Sequence, residues 1–404
     1  MKNGWQTKRL GDFAVAVSTG PFGSILHKSD YVDDGVPLVN PINIVDERIV
    51  PDPSKLISNI TKRRLSNYVL EEGDVVVARR GEIGRCAVVG ANEKGWVCGT
   101  GSFFIRPLST LDSQFLAHLI RSNGYRERLE ELSTGTTMKN LSNTALGDLA
   151  ISVPPRPEQQ RIVGILDEAF DGIATAKANA AKNLQNARAL FESRLQSVFT
   201  QRGGRWMEKP LGGLASFRNG LNYTKDSKGE RIKILGVRNF QKNFSAPLDD
   251  LDTVTIDGKL SELDSLRQDD ILAVRSNGNI ELIGRCILVG EVTEKISHSG
   301  FTIRIRLSNG EVMPRYLCHF MKSASSRKRL RDGGTGTNIK SLNQGMLSAL
   351  AIPFPPISVQ TILVKRLESL SEETQHLASN YERKLAALGT LKKSLLHQAF
   401  TGQL

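Results

Sequence analysis

Two groups of hydrogen-bonding side chains follow short apolar runs of the chain. Arg79 and Arg80 come directly after Val75-Val76-Val77-Ala78, and Arg275 follows Ile271-Leu272-Ala273-Val274. Ser276, Asn277 and Asn279 extend the second group. Arginine and asparagine can make paired hydrogen bonds to base edges in the major groove of DNA, provided that a rigid element presents them. These two groups therefore indicate sequence recognition rather than catalysis.

Further candidates for DNA contact lie at predicted strand ends or in glycine-rich loops. They are Lys28, Asn40, Asn43, Lys139, Arg238, Asn239 and Lys340. Each of them taken separately is equally well read as a solvated surface residue. Together, these residues indicate DNA contact more strongly than any one of them does.

Motifs for catalysis and for metal binding are missing from the sequence. It has no GxxxxGK[ST] phosphate loop, no PD-(D/E)xK constellation and no Asn/Asp-Pro-Pro-aromatic methyltransferase motif. Cys86, Cys98, Cys286 and Cys318 form no CxxC pair, so neither a disulfide framework nor a zinc knuckle is expected. His118 and His319 occupy equivalent places on a predicted helix, and we interpret them as packed core histidines. We also expect Cys86 and Cys286 to be buried structural thiols.

The chain is an internal duplication with a period of 201 residues. The matches extend from one end to the other and include Trp5 with Trp206, Leu116 with Leu317, Gly135-Thr136 with Gly336-Thr337, and Phe199-Thr200 with Phe400-Thr401. The loop after Arg79 and Arg275 departs from this register, being four residues longer in the second copy. The flanking segments thus repeat, while the loop that carries the base-contact candidates does not.

Each copy reads as an α+β domain followed by one long helix. Short β-branched runs near 75–77, 87–89 and 103–105 predict strands, as do 232–235, 271–274, 286–289 and 301–307 in the second copy. Two modest helices are predicted near 113–122 and 125–132. A proline cluster at 154–157 or 353–356 then excludes helix up to that point.

An apolar seam follows each proline cluster at alternating spacings of four and three, which is typical of a coiled coil. Each helix would be roughly 65 Å long, and the two seams predict that the helices pack on each other. The residues predicted to pack are Ile162, Leu166, Ile173, Leu184, Phe191, Leu195, Leu363, Leu367, Leu370, Leu377, Leu385, Leu388 and Leu396.

Composition indicates a basic globular protein of 404 residues with a net charge of +12, which favours a polyanionic partner. Residues 1–201 carry 24 basic and 22 acidic side chains, whereas residues 202–404 carry 30 and 20, so the excess lies in the second copy. Neither a bilayer-spanning apolar run nor a secretory signal is recognisable in the sequence, so we expect a cytoplasmic location.

The duplicated layout resembles the specificity (S) subunit of type I restriction-modification enzymes. The resemblance rests on residues 134–142 and 151–155, on 334–343 and 352–356, and on the long helix with its final Phe-Thr. Pro21-Phe22-Gly23-Ser24 and Gly73-Asp74 add to it. One departure is Val359-Gln360, where the family's acidic-glutamine step is kept in the first copy as Glu158-Gln159.

This resemblance implies two target-recognition domains, 1–155 and 202–356, and two spacer helices, 156–201 and 357–404, packed antiparallel. Each domain would read half of a bipartite target in double-stranded DNA, and the helices would set the gap between the halves. The chain itself would be non-catalytic and without a cofactor. Methyltransferase (M) subunits, expected to number two, would supply S-adenosylmethionine, and restriction (R) subunits would supply ATP- and Mg-dependent cleavage.

Two other functions remain open from the residues alone. The chain could be a stand-alone sequence-specific or architectural DNA-binding protein, which predicts tight selective binding by the isolated chain. A protein-binding scaffold is the third reading, and the charge and the loop residues argue against it.

Overall fold

A computed structural model describes residues 4–22, 25–134, 140–240, 243–332 and 341–404. These residues form two compact units, one of residues 1–180 with 383–404 and the other of residues 181–382. The first repeat contains β1 (Gln6–Arg9), β2 (Ala14–Thr19), β3 (Tyr31–Val32), β4 (Val36–Val39), β5 (Ile44–Val45), β6 (Arg48–Ile49), β7 (Leu56–Ile57), β8 (Val75–Ala78), β9 (Cys86–Val88), β10 (Val97–Cys98), β11 (Ser102–Pro107) and β12 (Ala150–Val153). Its helices are α1 (Asn59–Arg64), α2 (Ser113–Arg121), α3 (Asn123–Glu131), α4 (Asn143–Gly147) and α5 (Arg156–Thr200).

The second repeat follows a similar order, with fewer small strands among its described residues. Its strands are β13 (Met207–Pro210), β14 (Ala215–Asn219), β15 (Arg231–Leu235), β16 (Asp252–Thr255), β17 (Ile271–Val274), β18 (Cys286–Leu288), β19 (Ile296–His298), β20 (Thr302–Leu307) and β21 (Ala351–Phe354). Its helices are α6 (Pro314–Lys322), α7 (Ala324–Asp332), α8 (Gln344–Ala349) and α9 (Ile357–Thr401). The predicted strands and both modest helices are confirmed, with ends shifted by a few residues.

The same four-stranded antiparallel sheet forms the centre of each domain. Its strand order is β2-β11-β8-β9 in the first domain and β14-β20-β17-β18 in the second. Every residue of β8 and of β17 is buried, which explains why both strands read as uninterrupted apolar runs. The polar residues that follow them must therefore lie at the edge of the sheet.

A second sheet and a closing strand pair complete each domain. β4 pairs in parallel with β10, and β15 pairs in parallel with β19. β1 pairs with β12 and β13 pairs with β21, so the first strand of each domain lies beside the strand that leads into the long helix.

A buried carboxylate ties two strands of each central sheet together. Arg106 donates to Asp74 from Nε at 2.9 Å and from Nη2 at 2.8 Å. Arg306 makes the same two bonds to Asp270 at 2.6 and 2.7 Å. Both carboxylates are 1% exposed, so each duplicated domain retains a paired buried charge.

A buried glutamine anchors the first turn of each long helix to its domain. Gln159 Nε2 donates to the carbonyls of Thr110 and Pro154, and its Oε1 accepts from the Asp112 amide. Gln360 makes the equivalent three bonds in the second domain. These bonds give the acidic-glutamine step a physical meaning, because the glutamine makes the same three bonds in both domains although Glu158 precedes it in one and Val359 in the other.

The two long helices pack antiparallel. In the first unit, Arg161 Nη2 donates to the Leu404 carbonyl, and Lys392 Nζ lies 4.6 Å from the centre of the Phe170 ring. In the second unit, Arg188 and Glu382 form an ion pair at 2.7 Å. Both helices are 45 residues long and continue from one unit into the other.

Twelve of the thirteen seam residues are buried or partly buried. Six residues are buried: Ile162, Leu166, Ile173, Leu195, Leu367 and Leu396. Six are partly buried: Leu184, Phe191, Leu363, Leu370, Leu385 and Leu388. The prediction was wrong for Leu377, which is 42% exposed, because the inward face continues from the buried Thr374 to Ala378 by a step of four rather than three. None of the helices in the described part of the chain is long and apolar enough to cross a membrane.

Candidate nucleic-acid interface

The ends of three strands meet the turn before β11 in the first domain, and we call this assembly the first strand-end cluster. The Gly20 amide donates to the Ser102 carbonyl at 3.1 Å, and the Gly99 amide donates to the Val39 carbonyl at 2.9 Å. The Arg79 amide donates to the Gly101 carbonyl at 3.0 Å. These bonds fix the exits of β2, β4 and β8 against one another.

The second domain builds an equivalent second strand-end cluster from different residues. The Gly220 amide donates to the Thr302 carbonyl at 3.1 Å, and the Ser299 amide donates to the Leu235 carbonyl at 3.0 Å. The Arg275 amide donates to the Phe301 carbonyl at 2.8 Å. Both clusters thus hold an arginine backbone rigidly at the end of a fully buried strand.

Close backbone contact makes glycine necessary in both clusters. A Cβ at Gly20 would lie 2.1 Å from the Gly99 carbonyl oxygen, and a Cβ at Gly220 would lie 2.2 Å from the Ser299 oxygen. Since backbone atoms cannot yield as a flexible side chain can, neither position accommodates another residue without movement of the cluster.

Arg79 is mostly enclosed within the first cluster. It is 8% exposed, its Nε donates to the Leu141 carbonyl at 2.9 Å, and its guanidinium lies 4.8 Å from the Phe22 ring centre. Burial, with a smaller contribution from Arg80, lowers the pKa of Arg79. Phe22 is itself 45% exposed, so this cation is covered by one aromatic side chain that reaches solvent.

Arg275 is held more loosely in the second cluster. It is partly buried, and among the described residues its side chain makes one hydrogen bond, from Nη1 to the Gly300 carbonyl at 3.5 Å. The neighbouring Ser276 is also partly buried and accepts from Ser341 Oγ at 3.4 Å. Phe301, which adjoins this site, is 62% exposed.

Asn277 and Asn279 shape the loop after Arg275 and keep their side-chain amides available. Asn277 Oδ1 accepts from the Asn279 amide at 2.9 Å, and Asn279 Oδ1 accepts from the Glu281 amide at 3.0 Å. The structure therefore uses one acceptor of each side chain locally. Asn279 is exposed and Asn277 partly so, which leaves both NH₂ groups as donors for a ligand.

The predictions for Asn43 and Asn239 need correction. Both are 3% exposed, and both use their side-chain oxygen and nitrogen inside the domain. Asn43 Oδ1 accepts from the Asn40 amide and its Nδ2 donates to the Val50 carbonyl. Asn239 makes the same type of bonds with Gly236 and Asp250. These residues stabilise the turns after β4 and β15 and present no edge to a base.

The remaining candidates differ in exposure. Lys28 and Arg80 are exposed, and Asn40 is partly buried with its Oδ1 3.5 Å from the Gly101 amide. Arg238 is exposed but forms ion pairs with Asp252 and Asp250, and the hydrogen bond from Asp252 raises its pKa. Lys139 and Lys340 lie outside the described residues.

Sequence reasoning missed the exposed aromatics Phe22 and Phe301 as members of the candidate interface. It also missed Lys328 and Arg329, two exposed cations on α7. The 201-residue shift contained a signal for the second pair, because it aligns Lys328 with Glu127.

The buried histidines and thiols are part of the cores, as predicted. His118 Nε2 bonds Asp167 at 2.9 Å, and the ring of His319 lies 4.5 Å from that of Phe244. Cys86 Sγ donates to the Ala117 carbonyl, and Cys286 Sγ lies 3.9 Å from Cys318 Sγ in a pair that the first copy lacks. Among the described residues, no group of three or more His, Cys, Asp or Glu side chains could hold a metal ion.

Comparison with known sequences gives matches over the full duplicated length. The family model for the type I restriction modification DNA specificity domain matches twice, at residues 2–183 and 203–383. The StySPI specificity subunit from Salmonella potsdam is 26% identical over 100% of this chain and 90% of the relative. The EcoKI specificity subunit from Escherichia coli K12 is 25% identical over 92% of this chain and 83% of the relative.

Solved structures share the fold. A structure described as "Structural basis underlying complex assembly and conformational transition of the type I R-M system" matches with a TM-score of 0.79 at 18% identity, over 100% of this chain and 99% of that chain. The HsdS subunit from Thermoanaerobacter tengcongensis matches with a TM-score of 0.66, also at 18% identity, over 100% and 98% of the two chains. Because the family model matches both halves of the duplication, the chain belongs to the type I restriction modification DNA specificity domain family.

Proposed function

We propose that this chain is the DNA specificity subunit of a type I restriction-modification complex, in which each domain reads one half of a bipartite target. The observation that carries the proposal is the repetition of one rigid strand-end cluster bearing different side chains. Arg80 extends from the first cluster beside the enclosed Arg79, whereas Arg275, Asn277 and Asn279 extend from the second. Equal scaffolds with unequal hydrogen-bonding groups are suited to reading two different half-sites.

The chain supplies recognition and its partners supply the chemistry. Methyltransferase subunits, two of them in this proposal, dock on the paired long helices and bring S-adenosylmethionine, while restriction subunits bring ATP- and Mg-dependent cleavage. The assembled complex is then a DNA adenine methyltransferase and an ATP-dependent endonuclease. The family and the named specificity subunits among the relatives support this division of labour.

A methylome of cells that express this chain with its methyltransferase subunits tests the proposal. The expected result is one bipartite methylated motif. Asn277→Asp keeps the Oδ1 acceptor that the loop uses and removes the amide donors, so it should alter only the half-site read by the second domain.

Arg80→Ala is the matched variant in the first domain and should alter only the other half-site. If both variants changed the same half, or if no bipartite motif appeared, the assignment of one half-site to each domain would be wrong.

The long helices set the gap between the half-sites in this proposal. Deleting about one heptad from α5 and from α9 together should shorten the unread gap and leave both half-site sequences unchanged. Altered half-sites with an unchanged gap would contradict the spacer role.

The DNA affinity of the isolated chain distinguishes a specificity subunit from a stand-alone DNA-binding protein. A specificity subunit should bind DNA weakly and with little sequence preference until methyltransferase subunits join it. Tight and selective binding by the isolated 404-residue chain would favour the stand-alone function instead.

A further inference from the structure

Helices α3 and α7 occupy equivalent places in the two domains but carry different charges. α3 contains two arginines and three glutamates, whereas α7 contains three arginines, one lysine and one aspartate. With the 201-residue shift, Glu127 aligns with Lys328 and Glu130 aligns with Arg331. One nine-residue helix therefore accounts for a large part of the charge difference between the two halves of the chain.

The inner face of α7 is fixed to the segment that follows the Asn277–Asn279 loop. Arg327 Nη1 donates to the Ile283 carbonyl at 2.9 Å, and Arg331 Nη1 pairs with Glu281 at 2.9 Å. Leu330 is buried so closely against Gly284 that a Cβ there would lie 2.8 Å from the leucine Cβ. α7 is thus a rigid neighbour of the loop proposed to read bases.

The outer face of α7 presents uncompensated positive charge. Lys328 and Arg329 are exposed, and neither has a carboxylate within 4.0 Å among the described residues. No large apolar side chain on this helix is exposed. Apolar and aromatic anchors are what a protein interface needs at its centre, whereas phosphates need only cations.

We propose that Lys328 and Arg329 contact the phosphate backbone of DNA beside the second half-site. The first domain keeps an exposed arginine, Arg128, at the place of Arg329 but has Glu127 at the place of Lys328, so the second domain supplies the larger sequence-independent share of binding. This inference rests on the proposed DNA-binding function and assigns a specific surface to it. Because phosphates carry no sequence information, the contact strengthens every complex without changing the target.

The test is the salt dependence of DNA binding by the full-length chain. Affinity for a 30-base-pair duplex of arbitrary sequence is measured by fluorescence anisotropy across a range of KCl concentrations. Each lost phosphate contact lowers the steepness of log affinity against log salt by about 0.9, so K328A/R329A should lower it by about 1.8. At 0.1 M salt, the same relation predicts that the loss of each contact weakens binding roughly tenfold.

A matched control is available on α9. K365A/R366A removes another adjacent lysine-arginine pair, also exposed, and changes the net charge by the same amount. It should leave the salt dependence unchanged. Glu127→Lys in α3 should raise the steepness by about 0.9, because it transfers one of the cations to the first domain.

The outcomes separate this inference from the proposed function. If the unmodified chain shows salt-dependent binding and K328A/R329A matches it or matches the α9 control, the α7 assignment is wrong. If K328A/R329A binds the duplex normally but no longer copurifies with methyltransferase subunits, α7 is a protein interface, which also overturns it. If the unmodified chain binds no duplex at any salt concentration, even with methyltransferase subunits added, the DNA-binding function itself fails.

Discussion

The two domains share their framework and differ in the groups attached to it. Both have the same central sheet, the same buried arginine-aspartate pair and the same glutamine anchor at the long helix. They differ in the loop after the buried strand, in the residues that fill the strand-end cluster and in the charge of α3 and α7. Duplication therefore preserved the residues that fold the domain, whereas the residues available for recognition diverged.

The largest expected effect tests the shared part of this comparison. Asp74→Ala and Asp270→Ala each leave one arginine without the partner that takes two hydrogen bonds from it. Removing one member of a buried ion pair lowers the free energy of unfolding by about 3–5 kcal/mol. The loss expected here is smaller, because Arg106 and Arg306 are about a quarter exposed. Hydrogen exchange should show a similar loss of protection in the unit that carries the mutation.

The control is Arg9→Ala, which removes an exposed pair with Asp12 and should change protection little. A large effect of Asp74→Ala beside a negligible effect of Asp270→Ala would show that the two frameworks are not energetically equivalent.

The next largest expected effect is a difference between the two units in how their stability depends on pH. In the second unit, burial lowers the pKa of His298 to about 3 and that of His319 to about 4. The unfolded chain takes up these protons near pH 6.5 and the folded unit does not, so stability is retained above that pH and lost as pH falls towards 4. The slope for two such groups approaches about 2.7 kcal/mol per pH unit.

The first unit should depend less on pH over this range. It has Cys98 in the place of His298, and although burial lowers the pKa of His118, its hydrogen bond to Asp167 opposes that shift. His319→Phe removes one titrating group from an apolar site and should reduce the slope of the second unit by about half. Equal loss of hydrogen-exchange protection in both units at pH 5 would contradict this difference.

The smallest effect concerns the two cluster arginines. Arg79→Ala removes a mostly buried side chain that bonds Leu141 and packs on Phe22, which should cost about 1–3 kcal/mol. Arg275→Ala removes one long bond at a partly buried site and should cost less than about 1 kcal/mol. If Arg275 is the arginine that contacts the bases, Arg275→Ala should weaken DNA binding more than Arg79→Ala does. Fluorescence anisotropy measures the DNA binding of the two variants, and thermal unfolding measures their stability.

Much of the fold was predictable from the sequence, because duplication and apolar periodicity are local or regularly spaced signals. The runs before Arg79 and Arg275 predicted strands, and the structure confirms both. The seams after the proline clusters predicted two long helices, and only Leu377 was placed on the wrong face. A spacing pattern tolerates a step of three or four, so it cannot fix every position along a helix of 45 residues.

The candidate interface was less predictable. Asn43 and Asn239 have the right chemistry for base contacts, but their side chains are used up by backbone groups of the following turn. Such bonds leave no mark in residue type, since an asparagine that shapes a turn reads like one that binds a ligand. The cations of α7 were visible in the repeat and acquired meaning once the structure placed that helix beside the loop.

The duplication into two α+β domains, each followed by a long helix, is readable in the sequence alone, because repeats and periodicity lie along the chain. Tertiary structure alone decided which polar groups are available. Arg79 became enclosed and Arg275 remained partly open although they follow equivalent strands, since exposure depends on what packs against a side chain from distant parts of the sequence. The same physical reason fixed the strand-end clusters, whose contacting backbones are separated by tens of residues and meet only when the sheets assemble.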